Sequence, residues 1–258
     1  ENVDQVNITM GVALKTMPYA TFFEILFSVK AKPAASYYYK DVQSILSHPF
    51  ITNIMASAGV ILAQIKKKQR AVVRQSLANS LSYRIETDCT HFFPIYSESV
   101  RNLGTPVFPK AYFETLLRVF PNQVDILTVF SGAAAVSSVL SFYYKNQVLP
   151  FYGGGTSAAR NLKSNDFMYY QLMCHAQQRG MTSFDFGRSK IGSGAHAYKK
   201  HWGLEPQSLF YEHYLVKSHV LPDISPNNPK YQLFIKAWKK LPLPISRALG
   251  PVLAKDLG

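Results

Sequence analysis

The stretch Val148-Leu149-Pro150-Phe151-Tyr152-Gly153-Gly154-Gly155 reads as an apolar strand that runs into three glycines. Downstream, Asn165 to Arg179 has helical spacing. Asp166 sits in the first turn, Met168, Leu172 and Ala176 share one face, and Gly180 serves as the C-cap. A second strand, Thr182 to Gly187, leads into Arg188-Ser189-Lys190, and Gly192-Ser193-Gly194 then precedes Tyr198-Lys199-Lys200-His201-Trp202-Gly203. A crossover helix returns the chain in the same direction, so the two strands are predicted to be parallel. Glycine N–H groups and cations would gather at one sheet edge. Such an edge suits an anionic, phosphate-bearing ligand, because glycines let the backbone approach phosphate and a helix N-terminus adds partial positive charge.

Upstream, Val124 to Phe130, Ala135 to Tyr144 and Gln147 to Tyr152 are predicted as three antiparallel strands, joined by turns at Ser131-Gly132 and Lys145-Asn146. Two helices precede them, His91 to Val100 and Lys110 to Phe120, separated by the breaker run Asn102-Leu103-Gly104-Thr105-Pro106. Before these come a strand at Leu81 to Glu86 and a helix from Ile65 to Ser80. That helix carries a cationic stripe, Lys66, Arg70 and Arg74, with Val72, Val73 and Leu77 turned inward. Residues 1–62 give mixed signals and stay unassigned. Past Pro222 to Pro229, Tyr231, Phe234, Ile235 and Trp238 form an apolar stripe opposite Lys236, Lys239 and Lys240, open to two readings: docking on the protein core, or contact with a membrane face. The partition is therefore 1–62, a main domain over 63–220, and an amphipathic helical tail over 221–258.

With 47% hydrophobic and 17% charged residues, the 258-residue chain is not a disordered one, and a formal charge of +13 points to anionic partners. Nucleic acid, membrane phosphates and nucleotide-linked substrates all qualify. Cys89 and Cys174 make no disulfide framework and no signal peptide opens the chain, so a cytoplasmic setting is expected. The longest apolar run, Ile51 to Ala63, falls short of the roughly 20 residues a spanning helix requires. The start at Glu1, without Met, reads as that of a fragment or a processed chain.

The candidate site residues follow from this layout. Tyr152, Gly153, Gly154 and Gly155 on one strand, with Arg188, Ser189, Lys190, Lys200 and Trp202 beyond the other, would hold an anionic donor. Bases to consider are Asp185, Asp166, His196 and His201. Asp185 alternates with Phe184 and Phe186, so it faces either the site or a salt bridge with Arg188. His196 and His201 are five apart and do not share a helix face, so no metal site is expected. Cys174 reads as buried packing rather than a nucleophile.

The order of elements resembles the GNAT acyltransferase fold, an α/β (α+β) arrangement. Several motifs are similar to the FemAB-related proteins, and among them to a subfamily associated with exosortase/PEP-CTERM and exopolysaccharide loci. They are Lys68 to Ala71, Glu98 to Pro109, Leu140 to Tyr143, Phe151 to Gly155, Asn165-Asp166-Phe167-Met168-Tyr169, Phe184 to Lys190 and Tyr198 to Gly203, with a tail similar at Asn228 to Tyr231 and Leu241 to Pro244. The resemblance spans about residues 65–258 and implies one complete GNAT-like domain plus the remnant of a first one. It also implies transfer of an acyl or aminoacyl group, from acyl-CoA or aminoacyl-tRNA, to an amine on a nucleotide- or lipid-linked envelope or polysaccharide precursor, with no permanently bound cofactor. Lys199 matches a family lysine near the donor's end, Asp185 is the paired catalytic candidate, and Arg101, Asn102 and Thr105 mark the acceptor side. A second function class stays open: a non-catalytic module that binds RNA or an anionic glycan.

Overall fold

The computed structural model describes residues 46–47, 58–187, 189, 194–203, 206–207 and 229–254. Arg188, Lys190 and the segment predicted as a first-domain remnant, apart from residues 46–47 and 58–62, lie outside them. The elements in order are β1 (Leu46–Ser47), α1 (Ala58–Gln64), α2 (Lys67–Ala78), β2 (Leu81–Glu86), α3 (Phe92–Leu103), α4 (Lys110–Val119), β3 (Val124–Ser131), β4 (Ala134–Tyr144) and β5 (Gln147–Gly155). They continue with α5 (Ala159–Leu162), α6 (Ser164–Gln178), β6 (Ser183–Phe184), α7 (Gly194–His201), β7 (Pro206–Gln207), α8 (Pro229–Trp238) and α9 (Leu243–Ala254). The short β1 and β7 pair with each other.

Strands β2 to β6 form one sheet in sequence order, antiparallel from β2 through β5, with β6 parallel to β5 as predicted. Alternation assigns the two faces. Leu127, Val129, Val139 and Val148 pack on one side with residues of α1, α2 and α6 and with Trp202 after α7. Ile126, Leu140, Phe142 and Tyr152 pack on the other with α3 and α4. A register shift at Leu140/Ser141 makes Phe151 the extra residue on β5, a bulge that leaves its ring 45% exposed while Tyr152 turns inward toward α3.

Two expectations need correction. The buried face of α2 is Gln69, Val73 and Ser76, not Val72, Val73 and Leu77, and Leu77 faces outward. Polar side chains can turn inward here because Ser76 donates to the Val73 carbonyl and Gln69 donates to the Asp166 carboxylate at 2.6 Å. Lys66 precedes the helix, so the cationic stripe shortens to Arg70 and Arg74. The glycine triplet, in turn, belongs to β5 rather than to a turn after it: Gly153, Gly154 and Gly155 pair with Val139, Ser138 and Ser137. Residues 156–163, between β5 and α6, contain the short helix α5.

The far end of the sheet is tied by Asp125, which is almost fully buried. Its carboxylate accepts from Tyr143, His175 and Arg179 at 2.7 to 2.9 Å, and the Arg179 guanidinium also stacks over the Tyr143 ring. A buried carboxylate is tolerable only with partners of this kind.

The glycines are required by packing from both faces. A Cβ on Gly154 would run into the Ser99 side chain of α3, and one on Gly155 would lie 2.5 Å from the Ala159 Cβ and 2.8 Å from Asn165 Oδ1. Gly154→Ala is expected to destabilise the protein by about 1–3 kcal/mol through overpacking, and adding Ser99→Gly should restore most of that loss. Urea unfolding of the two single variants and the double variant measures both effects.

Candidate functional site

Strands β5 and β6 pair only at Gln147↔Ser183 and Val148↔Phe184, followed by one bond from Asp185 N–H to the Val148 carbonyl at 2.9 Å. Beyond it no described strand pairs with β5 on that side, while β5 itself continues to Gly155. The Thr156 N–H donates to the Val136 carbonyl, and antiparallel alternation from that pair points the Gly154 and Tyr152 N–H groups at β4. Gly153 and Gly155 therefore aim their N–H groups at the free edge. Tyr169 and Asn165 of α6 stand over these two glycines. The triplet thus does two jobs at once, close packing through its missing side chains and donor presentation through its backbone.

At the end of β6 the chain folds around Asp185, whose Oδ1 accepts the Gly187 N–H at 2.7 Å and whose side chain is buried. Gly187 takes a left-handed conformation, φ +67°, and its carbonyl accepts from Lys199 Nζ at 2.9 Å. Burial lowers the Lys199 pKa to about 8, and the Asp185 charge opposes that fall without cancelling it. Ser189 is buried, and its hydroxyl has no hydrogen-bond partner among the described residues. Three of the predicted residues, Asp185, Ser189 and Lys199, thus cluster at or next to this strand end. Arg188 and Lys190 fall outside the described residues.

Lys200 is exposed on α7. Trp202 does not offer a stacking surface, because it is fully buried against Phe186, Tyr169 and Tyr198. Its role is to anchor α7 to the core. The Tyr198 hydroxyl adds a second tie by donating to Asp166 at 3.0 Å, so Asp166 links α2, α6 and α7. Burial raises the Asp166 pKa although those hydrogen bonds pull the other way. Cys174 packs in the core, and burial pushes its thiol pKa up. Among the described residues no three His, Cys, Asp or Glu side chains converge as a metal site.

The tail packs against the predicted acceptor side. Arg101 donates to the Lys239 carbonyl at 3.0 Å, the Trp238 indole donates to the Thr105 carbonyl at 3.1 Å, and Gly104 leaves no room for a Cβ beside Ile235. Arg101 and the Thr105 carbonyl are thus engaged by α8 and the residue that follows it, while Asn102 and Thr105 remain exposed. The polar rim nearest the glycines is instead built from Tyr112 and Tyr152, whose hydroxyls lie 2.8 Å apart, over the rings of Tyr96 and Phe113. Glu98 of α3 accepts the Ser157 N–H just after β5.

The sequence reading missed one feature, a row of hydroxyls across the α3 face of the sheet. Thr128 donates to Glu86 at 2.6 Å, so its single proton is used and its oxygen accepts from Ser138 at 2.9 Å. His91 contacts the other Glu86 oxygen at 2.7 Å. Ser138 is the strand neighbour of Gly154, which places the end of this row one strand from the free edge of β5. Each member sits on a different element, β2, β3, β4 or the start of α3, and no local spacing in the sequence brings them together.

Among solved structures, FemX superposes with a TM-score of 0.57 at 15% identity, covering 79% of this chain and 67% of that one. L-PGS from Bacillus licheniformis gives a TM-score of 0.49 at 11% identity, over 78% and 66% of the two chains. The C-terminal domain of a putative lysylphosphatidylglycerol synthetase from Agrobacterium fabrum gives 0.46 at 13% identity, over 65% and 58%. The chain thus spans about two thirds or less of the length of these structures. A search of the curated proteins finds no sequence match. The family model described as "Acetyltransferase (GNAT) domain" matches residues 62–200, which include the sheet, the glycine strand and Lys199, and the chain accordingly belongs to the GNAT acetyltransferase-domain family.

Proposed function

We propose that the protein is an N-acyl or aminoacyl transferase that uses an anionic donor, acyl-CoA or aminoacyl-tRNA, and an amine acceptor on a nucleotide- or lipid-linked precursor in cell-envelope or exopolysaccharide synthesis. The observation that carries this reading is the free edge of β5, where two glycine N–H groups face the gap left as β6 departs. Donors fixed in that way can bind the carbonyl oxygen as negative charge develops on it. The amine attacks directly, so no enzyme nucleophile is needed. Lys199 supplies positive charge to the donor, and Asp185 positions it by folding the Gly187 turn that Lys199 caps. The row Ser138, Thr128 and Glu86 is oriented so that a proton arriving at Ser138 can pass to the Glu86 carboxylate. A cytoplasmic location, with a lipid-linked acceptor met at the inner membrane, completes the proposal. No helix among the described residues is long and apolar enough to cross a membrane.

The first test is incubation of the chain with acyl-CoA and aminoacyl-tRNA donors and amine acceptors, with product read by mass spectrometry. Salt-sensitive RNA or glycan binding without any covalent product would favour the non-catalytic module instead. Donor binding has a defined pH sign. Lys199 is cationic below about 8 and neutral above, so affinity for a phosphate-bearing donor should fall as pH rises through that value. Lys199→Met should weaken binding at neutral pH and flatten the profile, whereas Lys199→Arg should move the fall to higher pH; calorimetric titration across the range follows both. For the hydroxyl row, Thr128→Val should lower turnover and leave donor affinity unchanged. It should also cost about 1–3 kcal/mol of stability, because Ser138 and Glu86 lose their buried partner.

A further inference from the structure

Helix α9 is turned inside out relative to an ordinary surface helix. Its buried positions are the small residues Ser246, Gly250 and Ala254, while Ile245, Leu249, Val252 and Leu253 are 41% to 70% exposed. The packing explains the choice. A Cβ on Gly250 would come within 3.0 Å of the Val107 backbone, so only a small-residue stripe can lie this close to the α3–α4 connection. The two polar side chains of α9 also point inward, Ser246 to the Leu243 carbonyl and Arg247 to Ser97 and the Pro94 carbonyl. What remains outward is apolar.

Helix α8, which precedes α9 by four residues, also leaves apolar side chains outward. Ile235 and Trp238, expected in one stripe with Tyr231 and Phe234, dock against Gly104 and Thr105, while Leu233 stays 78% exposed and Phe234 42%. Together α8 and α9 carry seven of the fourteen large apolar side chains exposed among the described residues. A concentration of this kind is the mark of an interaction surface. Charge selects the occupant. Between Pro229 and Ala254 the sequence has five Lys or Arg and no Asp or Glu, and Lys236, Lys239 and Lys240 are exposed. An apolar helix face bordered by lysines and free of acids complements a lipid surface with anionic headgroups, into which apolar side chains insert while lysines meet the phosphates.

We infer that the α8–α9 face docks on an anionic membrane surface, with α9 lying along the interface and Leu249 and Val252 inserted. This binding is independent of the transferase reading, since none of its residues contacts the glycine strand. The test is sedimentation of the full chain with vesicles of equal parts phosphatidylcholine and phosphatidylglycerol, and with phosphatidylcholine alone, in the absence of any donor. Binding is expected on the anionic vesicles, weaker in high salt and several-fold weaker on the neutral ones. Leu249→Asp, Val252→Asp and the pair Lys239→Glu/Lys240→Glu should each reduce it several-fold while circular dichroism stays unchanged. All are exposed positions, and the Val252 and lysine variants keep the test usable if Leu249→Asp fails to fold. Absence of binding to the anionic vesicles, or binding indifferent to all three changes, overturns the inference. So does a self-association in ultracentrifugation that Val252→Asp abolishes without any vesicle binding, because a second copy of the chain would then cover the face.

Discussion

Strand β5 is clamped from both faces where it has no side chains, by Ser99 of α3 at Gly154 and by Ala159 and Asn165 at Gly155. Everything that looks like a site depends on this approach. Without it, α3 and α6 could not sit at the same level of the sheet, and the β5 edge would be screened by its own side chains. The bulge at Phe151 acts just upstream. One extra residue switches which side chains face α3, so Tyr152 turns inward and the next three positions fall beneath the two helical layers. The strand can therefore pair with β4 over its whole length while offering two N–H groups on the other side.

The second strand end works by a different kind of constraint. Burial leaves the Lys199 ammonium poorly solvated, and the nearby Asp185 charge does not restore its ordinary acidity, while its Nζ donates to the Gly187 carbonyl. Asp185 is already committed to the Gly187 N–H, so its first duty is shape: it holds a left-handed turn that presents one carbonyl to Lys199. The buried Ser189 hydroxyl, two residues on, has no hydrogen-bond partner among the described residues.

The strand order and the parallel return of β6 were legible because period-two alternation, short turns and a crossover helix each have local signatures. Element starts were legible for the same reason, to within a few residues, for the strand at Leu81 and the helices at Lys110 and Asn165. The inward face of α2 was not, because Gln69 is buried only by virtue of Asp166, 97 residues away. The partners of Arg101 and Thr105 were not legible for a similar cause. Their partners come from a tail more than 130 residues on, and nothing near the α3–α4 break announces that a helix will lie across it. The Glu86, Thr128 and Ser138 row is legible only once the register of β2, β3 and β4 is known. Short-range pattern fixes elements, whereas a site assembled across strands depends on register.

The tail's position also bears on how the lipid-linked acceptor proposed above would meet the free edge of β5. Helix α3 touches both: its Ser99 rests on Gly154 and its Glu98 holds Ser157, while Ser97 and Pro94 on the same helix accept Arg247 of α9. Residues 97, 98 and 99 are adjacent on one helical turn, so the orientation of α9 relative to β5 is set by a single rigid element and not by a linker. A surface that holds α9 therefore also fixes the direction in which the free edge of β5 opens. With α8 closing the α3–α4 break, the described rim nearest the glycines is the Tyr112–Tyr152 pair, whose hydroxyls are exposed above an aromatic wall. A phenol pair over a hydrophobic wall suits a precursor that has a polar head and an apolar anchor, since each part of it then meets the matching surface of the same helix-braced unit.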